Sequence, residues 1–181
     1  MIETDFVNQH DRWYPLRTQL SPTTVAGVQL AWTSLCTEWK TVLDRVDALG
    51  ADAAVRSVNG EWCVRDTLRH LVFAMEKWFV GPVLGEKRFS AIGLPNTGSQ
   101  GGDWLGLDLS CVPAYREAVA IWEGRREQFG EYVSTLDASA LPEVVTVLEN
   151  GEVPTMVCFH VVLEEVFEHL RYTLRDLELV S

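Results

Sequence analysis

GEWCVRDTLRHLVFA, residues 60–74, and EEVFEHLRYTLRDL, residues 164–177, are the stretches from which the rest of the chain is read. Each places a histidine in a helix that otherwise looks built for a core. From about residue 64 to 84, Leu68, Leu71, Val72, Met75, Trp78 and Phe79 recur at helical spacing. Cys63 or a neighbour caps this helix. Asp66 lies in its first turn, where a negative charge suits the helix dipole. Gly81-Pro82 weakens its end. From about residue 154 to 179, after Pro154, the stripe is Phe159, Leu163, Val166, Leu170, Leu174 and Leu177.

Two further helices follow from the same periodicity. One spans about 22–49, with Ser21 as N-cap and Pro22 at its first position. Its apolar positions are Val25, Val28, Leu30, Trp32, Leu35, Trp39, Val42, Leu43, Val46 and Leu49, and Gly50 ends it. The other spans about 112–136, from Ser110 or Pro113, and carries Tyr115, Val119, Trp122, Phe129 and Val133. Residues 85–110 form a long connection with Gly85, Gly93, Pro95, Gly98, Gly101, Gly102 and Gly106. A connection of that length is usually functional or mobile. Residues 144–153 read as a short β-hairpin, because Asn150-Gly151 follows a β-branched run. The expected fold is all-α. It is a four-helix bundle in one domain, residues 1–181, with a long loop and a short hairpin before the last helix.

Composition bounds the function. At 181 residues the chain can bury a sizeable core. The net charge of −11 and pI near 4.7 disfavour nucleic acid and anionic membrane surfaces as partners. No stretch approaches the length of a membrane span. Met1-Ile2-Glu3-Thr4-Asp5-Phe6 lacks a basic start followed by an apolar run, so no signal peptide and a cytoplasmic location are expected. Cys36, Cys63, Cys111 and Cys158 are isolated and read as reduced, partly buried thiols. Of the seven tryptophans, Trp13, Trp32, Trp39, Trp78 and Trp122 suit a core or interface. Trp62 and Trp104 sit beside loops and are the candidates to line a pocket.

Glu165 and His169 are four residues apart and share a helical face, on the flank of the Phe159 to Leu177 stripe. His70 sits on a similar flank, beside Thr67 and Ala74. A His from one helix and a Glu-x-x-x-His from another can form a three-ligand metal site inside a bundle. Two imidazoles and one carboxylate would leave coordination positions open, the pattern of a catalytic site, with Glu164 or Glu168 supporting the ligands. The simpler reading makes Glu164, Glu165 and Glu168 solvated charges, His169 a surface partner of Glu165, and His70 a hydrogen-bonded core histidine. His10 and His160 receive no role.

Residues 60–95, GEWCVRDTLRHLVFAMEKWFVGPVLGEKRFSAIGLP, resemble the G-E-W-S-x-x-[DE]-T-L-R-H-L-V-F-A segment of actinobacterial DinB-like proteins. Residues 161–178, VVLEEVFEHLRYTLRDLE, resemble their V-L-x-E-E-x-x-E-H-x-R-Y-x-x-R-D-L helix. The likeness runs from about residue 55 to the end. It implies a DinB/YfiT-like bundle with an internal divalent-metal site. The second-helix ligand would be His70, and the fourth-helix pair Glu165 and His169, as in the related mycothiol-dependent maleylpyruvate isomerases. Relatives often carry His-His where this chain has His169-Leu170. A register placing the ligands at Val166 and Leu170 would mean a lost metal.

Together these readings lead to a metal-dependent thiol S-transferase or isomerase. The ion would be zinc, with nickel or manganese as alternatives. A low-molecular-weight thiol such as mycothiol would be the cosubstrate for a small electrophilic substrate. Trp62 and Trp104 would wall the pocket, and Arg65 or Arg69 would hold a carboxylate. The rival expectations are a metal-dependent hydrolase and a non-catalytic, stress-related binding protein with a degenerate site. A homodimer is implied by the resemblance alone.

Overall fold

The computed structural model describes residues 16, 19–99 and 102–180; Trp13 and His10 lie outside them. Its long elements are α1 (Val25–Leu49), α3 (Val64–Met75), α4 (Tyr115–Ser134) and α5 (Thr155–Val180). A short α2 (Ala51–Val55) follows α1, and a hairpin of β1 (Val144–Val147) and β2 (Gly151–Pro154) precedes α5. Helix α1 packs on α4 and α5, and α3 packs on the same two, which closes a four-helix bundle. No helix among the described residues is long and apolar enough to cross a membrane.

Helix α1 starts three residues later than Ser21-Pro22 implies. Thr24 is its N-cap, and its hydroxyl accepts the Gly27 N–H at 3.1 Å. Pro22 stays outside, where its carbonyl accepts from His160 Nε2 at 2.8 Å. Gly27 is needed there, because a Cβ would stand 2.5 Å from the Pro22 Cβ. Thr24→Ala is expected to cost about 1 kcal/mol, read as a lower midpoint in thermal unfolding. An unchanged midpoint would show that the cap does not hold this end. The buried stripe of α1 is Val28, Ala31, Trp32, Leu35, Trp39, Val42, Leu43 and Val46. Leu30 is exposed because it lies off that face, and Leu49 because it is the last residue of the helix.

Helix α3 passes into a π-helical turn, Glu76–Val80, rather than running on to residue 84 as an α-helix. The Gly81 N–H reaches the Glu76 carbonyl at 2.8 Å. Glu76, fully buried, is held by Arg125 at 2.7 Å and by the Ser90 backbone N–H at 3.0 Å. Helix α4 begins at Tyr115, later than Ser110 or Pro113 indicates.

The core gathers around Phe129 of α4. Its ring lies 4.6 Å from Trp32, 4.9 Å from Phe79 and 6.0 Å from Phe159, one on each of the other three helical segments. Trp39 is buried too, and its indole N–H donates to the Val166 carbonyl at 2.9 Å.

The connection after α3 is anchored rather than loose. Phe89, Leu105 and Leu107 pack with Phe73 in a small second core. Its backbone is tied by Phe89 N–H to Leu105, Asp108 N–H to Ala91 and Leu94 N–H to Arg69. The hairpin forms as expected, pairing Val144 with Pro154 and Val147 with Gly151. Its turn differs: Leu148–Asn150 make a 3-10 turn, and Gly151 already belongs to β2.

Candidate metal centre

The entry to α3 is built around Asp66. Its carboxylate accepts from the Cys63 thiol at 3.2 Å, from Arg65 at 3.0 and 3.1 Å, and from Arg69 Nη1 at 3.1 Å. Burial opposes its charge, but these donors win and lower its pKa. Arg69 is buried and also donates through Nε to the Ile92 carbonyl at 2.9 Å. Both arginines expected to hold a ligand carboxylate are thus engaged with Asp66.

One turn on, His70 is 3% exposed and faces α5. Its Nδ1 lies 2.9 Å from the Leu94 carbonyl, and its Nε2 lies 3.2 Å from Glu165 Oε2. His169 Nε2 lies 3.5 Å from the same carboxylate oxygen. Ligand atoms of His70, Glu165 and His169 all fall within 4.8 Å of one another, a group that could hold a metal ion. Burial disfavours ionising Glu165, but hydrogen bonds from His169 and His70, with their charge, hold its pKa at about 2. The carboxylate is therefore charged at neutral pH.

The donor set fits a divalent cation on one further ground. Both ring nitrogens of His70 face oxygen acceptors, the Leu94 carbonyl and the Glu165 carboxylate. That arrangement requires either a proton on each nitrogen or a cation between Nε2 and the carboxylate. With a cation bound there, Nδ1–H would donate to Leu94 and the Nε2 lone pair would be free to coordinate, as a metal-binding imidazole requires.

The Trp62 ring covers this centre, 4.7 Å from the His70 ring and stacked 6.0 Å from the His169 ring. Beside it opens a cleft of about 330 Å³, lined by Gly60, Glu61, Trp62, Thr67, His169, Tyr172 and Asp176. Arg175 reaches both Glu61 and Asp176, the latter at 2.7 Å. Trp104 does not line this cleft. It stands on the turn Asp103–Leu105 beside a second cavity, with Lys77, Lys87 and Leu148.

A family model for the DinB superfamily matches residues 34–173, most of the chain. The chain belongs to the DinB superfamily. Proteins of this superfamily are often metal-associated, and the matched span contains all three residues of the group. No curated protein and no solved structure matches the chain.

Packing on α5 separates the two possible registers. Val166 and Leu170 are buried in the core, whereas Glu165 and His169 turn toward His70. Glu168 pairs with Arg171 at 2.8 Å, and Glu164 is exposed. Sequence reasoning missed Tyr172 and Asp176, although they fall three and seven residues after His169 on one helical face. It also missed the Leu94 carbonyl, a backbone group that leaves no mark on residue identity.

Proposed function

We propose that this protein is a divalent-metal-dependent enzyme in which His70, Glu165 and His169 hold the ion. On this reading it joins a low-molecular-weight thiol to a small electrophilic substrate, or isomerises that substrate with the thiol's help. The single observation that carries the reading is the placement of both His70 ring nitrogens against acceptors, with Glu165 and His169 completing the donor set. Three protein ligands with mixed nitrogen and oxygen donors favour zinc, with nickel or manganese as alternatives. A bound ion would act as a Lewis acid and acidify a thiol or water brought to it.

The residues supply the rest. The Leu94 carbonyl orients His70, and Trp62 shields the centre on one side. Tyr172 and Trp62 give the cleft aromatic walls. Its charged lining residues, Glu61 and Asp176, suit an uncharged thiol such as mycothiol better than the carboxylate-bearing glutathione. A homodimer and a cytoplasmic location belong to the same reading.

The test starts with metal content by plasma mass spectrometry on untagged protein, then turnover of 1-chloro-2,4-dinitrobenzene with and without mycothiol. Stoichiometric metal and thiol-dependent turnover are expected. Protein that takes up no divalent ion, even after incubation, would overturn the reading. Metal with thiol-independent hydrolysis of ester substrates would move it to a hydrolase.

A further inference from the structure

A second cavity, of about 410 Å³, shares no lining residue with the cleft beside His169. Its apolar surface comes from Phe89, Leu105 and Leu148, its rim from Trp104, and its polar wall from Lys77 and Lys87. Its volume is within the range of small-molecule sites.

Three features that cost folding energy meet at this cavity. The Lys77 side chain is 7% exposed, with its ammonium 2.5 Å from Glu149 and 3.3 Å from Ser99 Oγ. Burying the Lys77 ammonium takes its charge out of water, while the Glu149 carboxylate that answers it stays partly exposed. Lys77 lies in the π-helical turn, a rare geometry found frequently at functional sites. Leu148 holds a left-handed backbone, φ +33°, which is strained for a side-chain-bearing residue. Neither Lys77 nor Leu148 belongs to the main bundle core. Trp104 adds an indole that is 60% exposed at the rim.

The lining also indicates what would bind. The apolar floor and the Trp104 face suit a flat ring. The Glu86 carboxylate accepts from the Gln128 amide at 3.3 Å. Lys87 pairs with no carboxylate among the described residues, so its ammonium is available to an anion. We propose that this cavity is a second ligand site, for an aromatic carboxylate, with Trp104 against the ring and Lys87 paired with the carboxylate.

The probe is 2-naphthoate, titrated calorimetrically into the full chain, with 2-naphthylmethanol as its uncharged counterpart. One saturable site is expected for the carboxylate. Trp104→Ala and Lys87→Glu should each weaken binding by about tenfold or more, the size of one charge-assisted or stacking contact. The alcohol should bind more weakly by a similar factor. His169→Ala should leave the constant unchanged, which separates this site from the metal centre. Circular dichroism confirms that each variant is folded; both changed side chains are at the cavity rim. No saturable binding at millimolar probe, wild-type affinity in either cavity variant, equal affinity for the alcohol and the carboxylate, or a changed constant in His169→Ala would each overturn the proposal.

Discussion

His70→Gln is expected to leave the protein with no tightly bound divalent ion. The glutamine keeps a polar side chain of similar reach, so the helix should survive while the imidazole lone pair is lost. What remains is Glu165 and His169, an i,i+4 pair on a single helix. Removing a partner that only orients a ligand already costs roughly 10–100-fold in affinity. Removing a ligand itself should cost more. His169→Ala should behave alike, since it deletes the other imidazole. Metal content after dialysis, wild type beside both variants, reads the effect directly. If His70→Gln kept wild-type metal content and affinity, the ion would be held elsewhere and the ligand assignment would be wrong.

Phe129→Ala is expected to cost about 3–5 kcal/mol. A domain of this kind has a total stability of about 5–15 kcal/mol, so one side chain would remove a large share. The reason is geometric. Phe129 is fully buried, and its neighbours Trp32, Phe79 and Phe159 each belong to a different helical segment. No single helix can shift to fill the cavity without leaving the other two. Denaturant unfolding should show a lower midpoint with an unchanged slope. A midpoint within error of wild type would mean that the bundle centre is not where these rings meet.

Much of the fold was legible because burial leaves a period. The stripes through Val28, Leu35 and Val46, and through Phe159, Leu163 and Leu170, face the core as their spacing implies. The start of α1 was misread because Ser21-Pro22 is a good cap pair in isolation. The outcome depends on Thr24 and on the absence of a Cβ at Gly27, which is a matter of contact with Pro22. The π-helical turn has no compositional sign, since one extra residue per turn changes facing and not residue type. At the candidate metal centre, the spacing of Glu165 and His169 put both on one face. That His70 could meet them across 95 residues of chain followed from its similar flank on its own helix, and the family resemblance added the assignment as ligand. Trp104 shows the opposite failure. Its position beside a glycine-rich connection marked it as pocket-lining, but nothing local says which pocket.

The connection between α3 and α4 has a role beyond joining two helices. Its Leu94 carbonyl orients the His70 ring, while Phe89, Trp104 and Leu105 of the same segment shape the second cavity. Described parts of one connection therefore serve both places. Because Leu94 is tied to the Arg69 carbonyl and Phe89 packs on Phe73, filling the second cavity should leave the aim of His70 unchanged. The described parts of this connection are fixed to α3 separately, at Arg69 and at Phe73, so each place keeps its own shape.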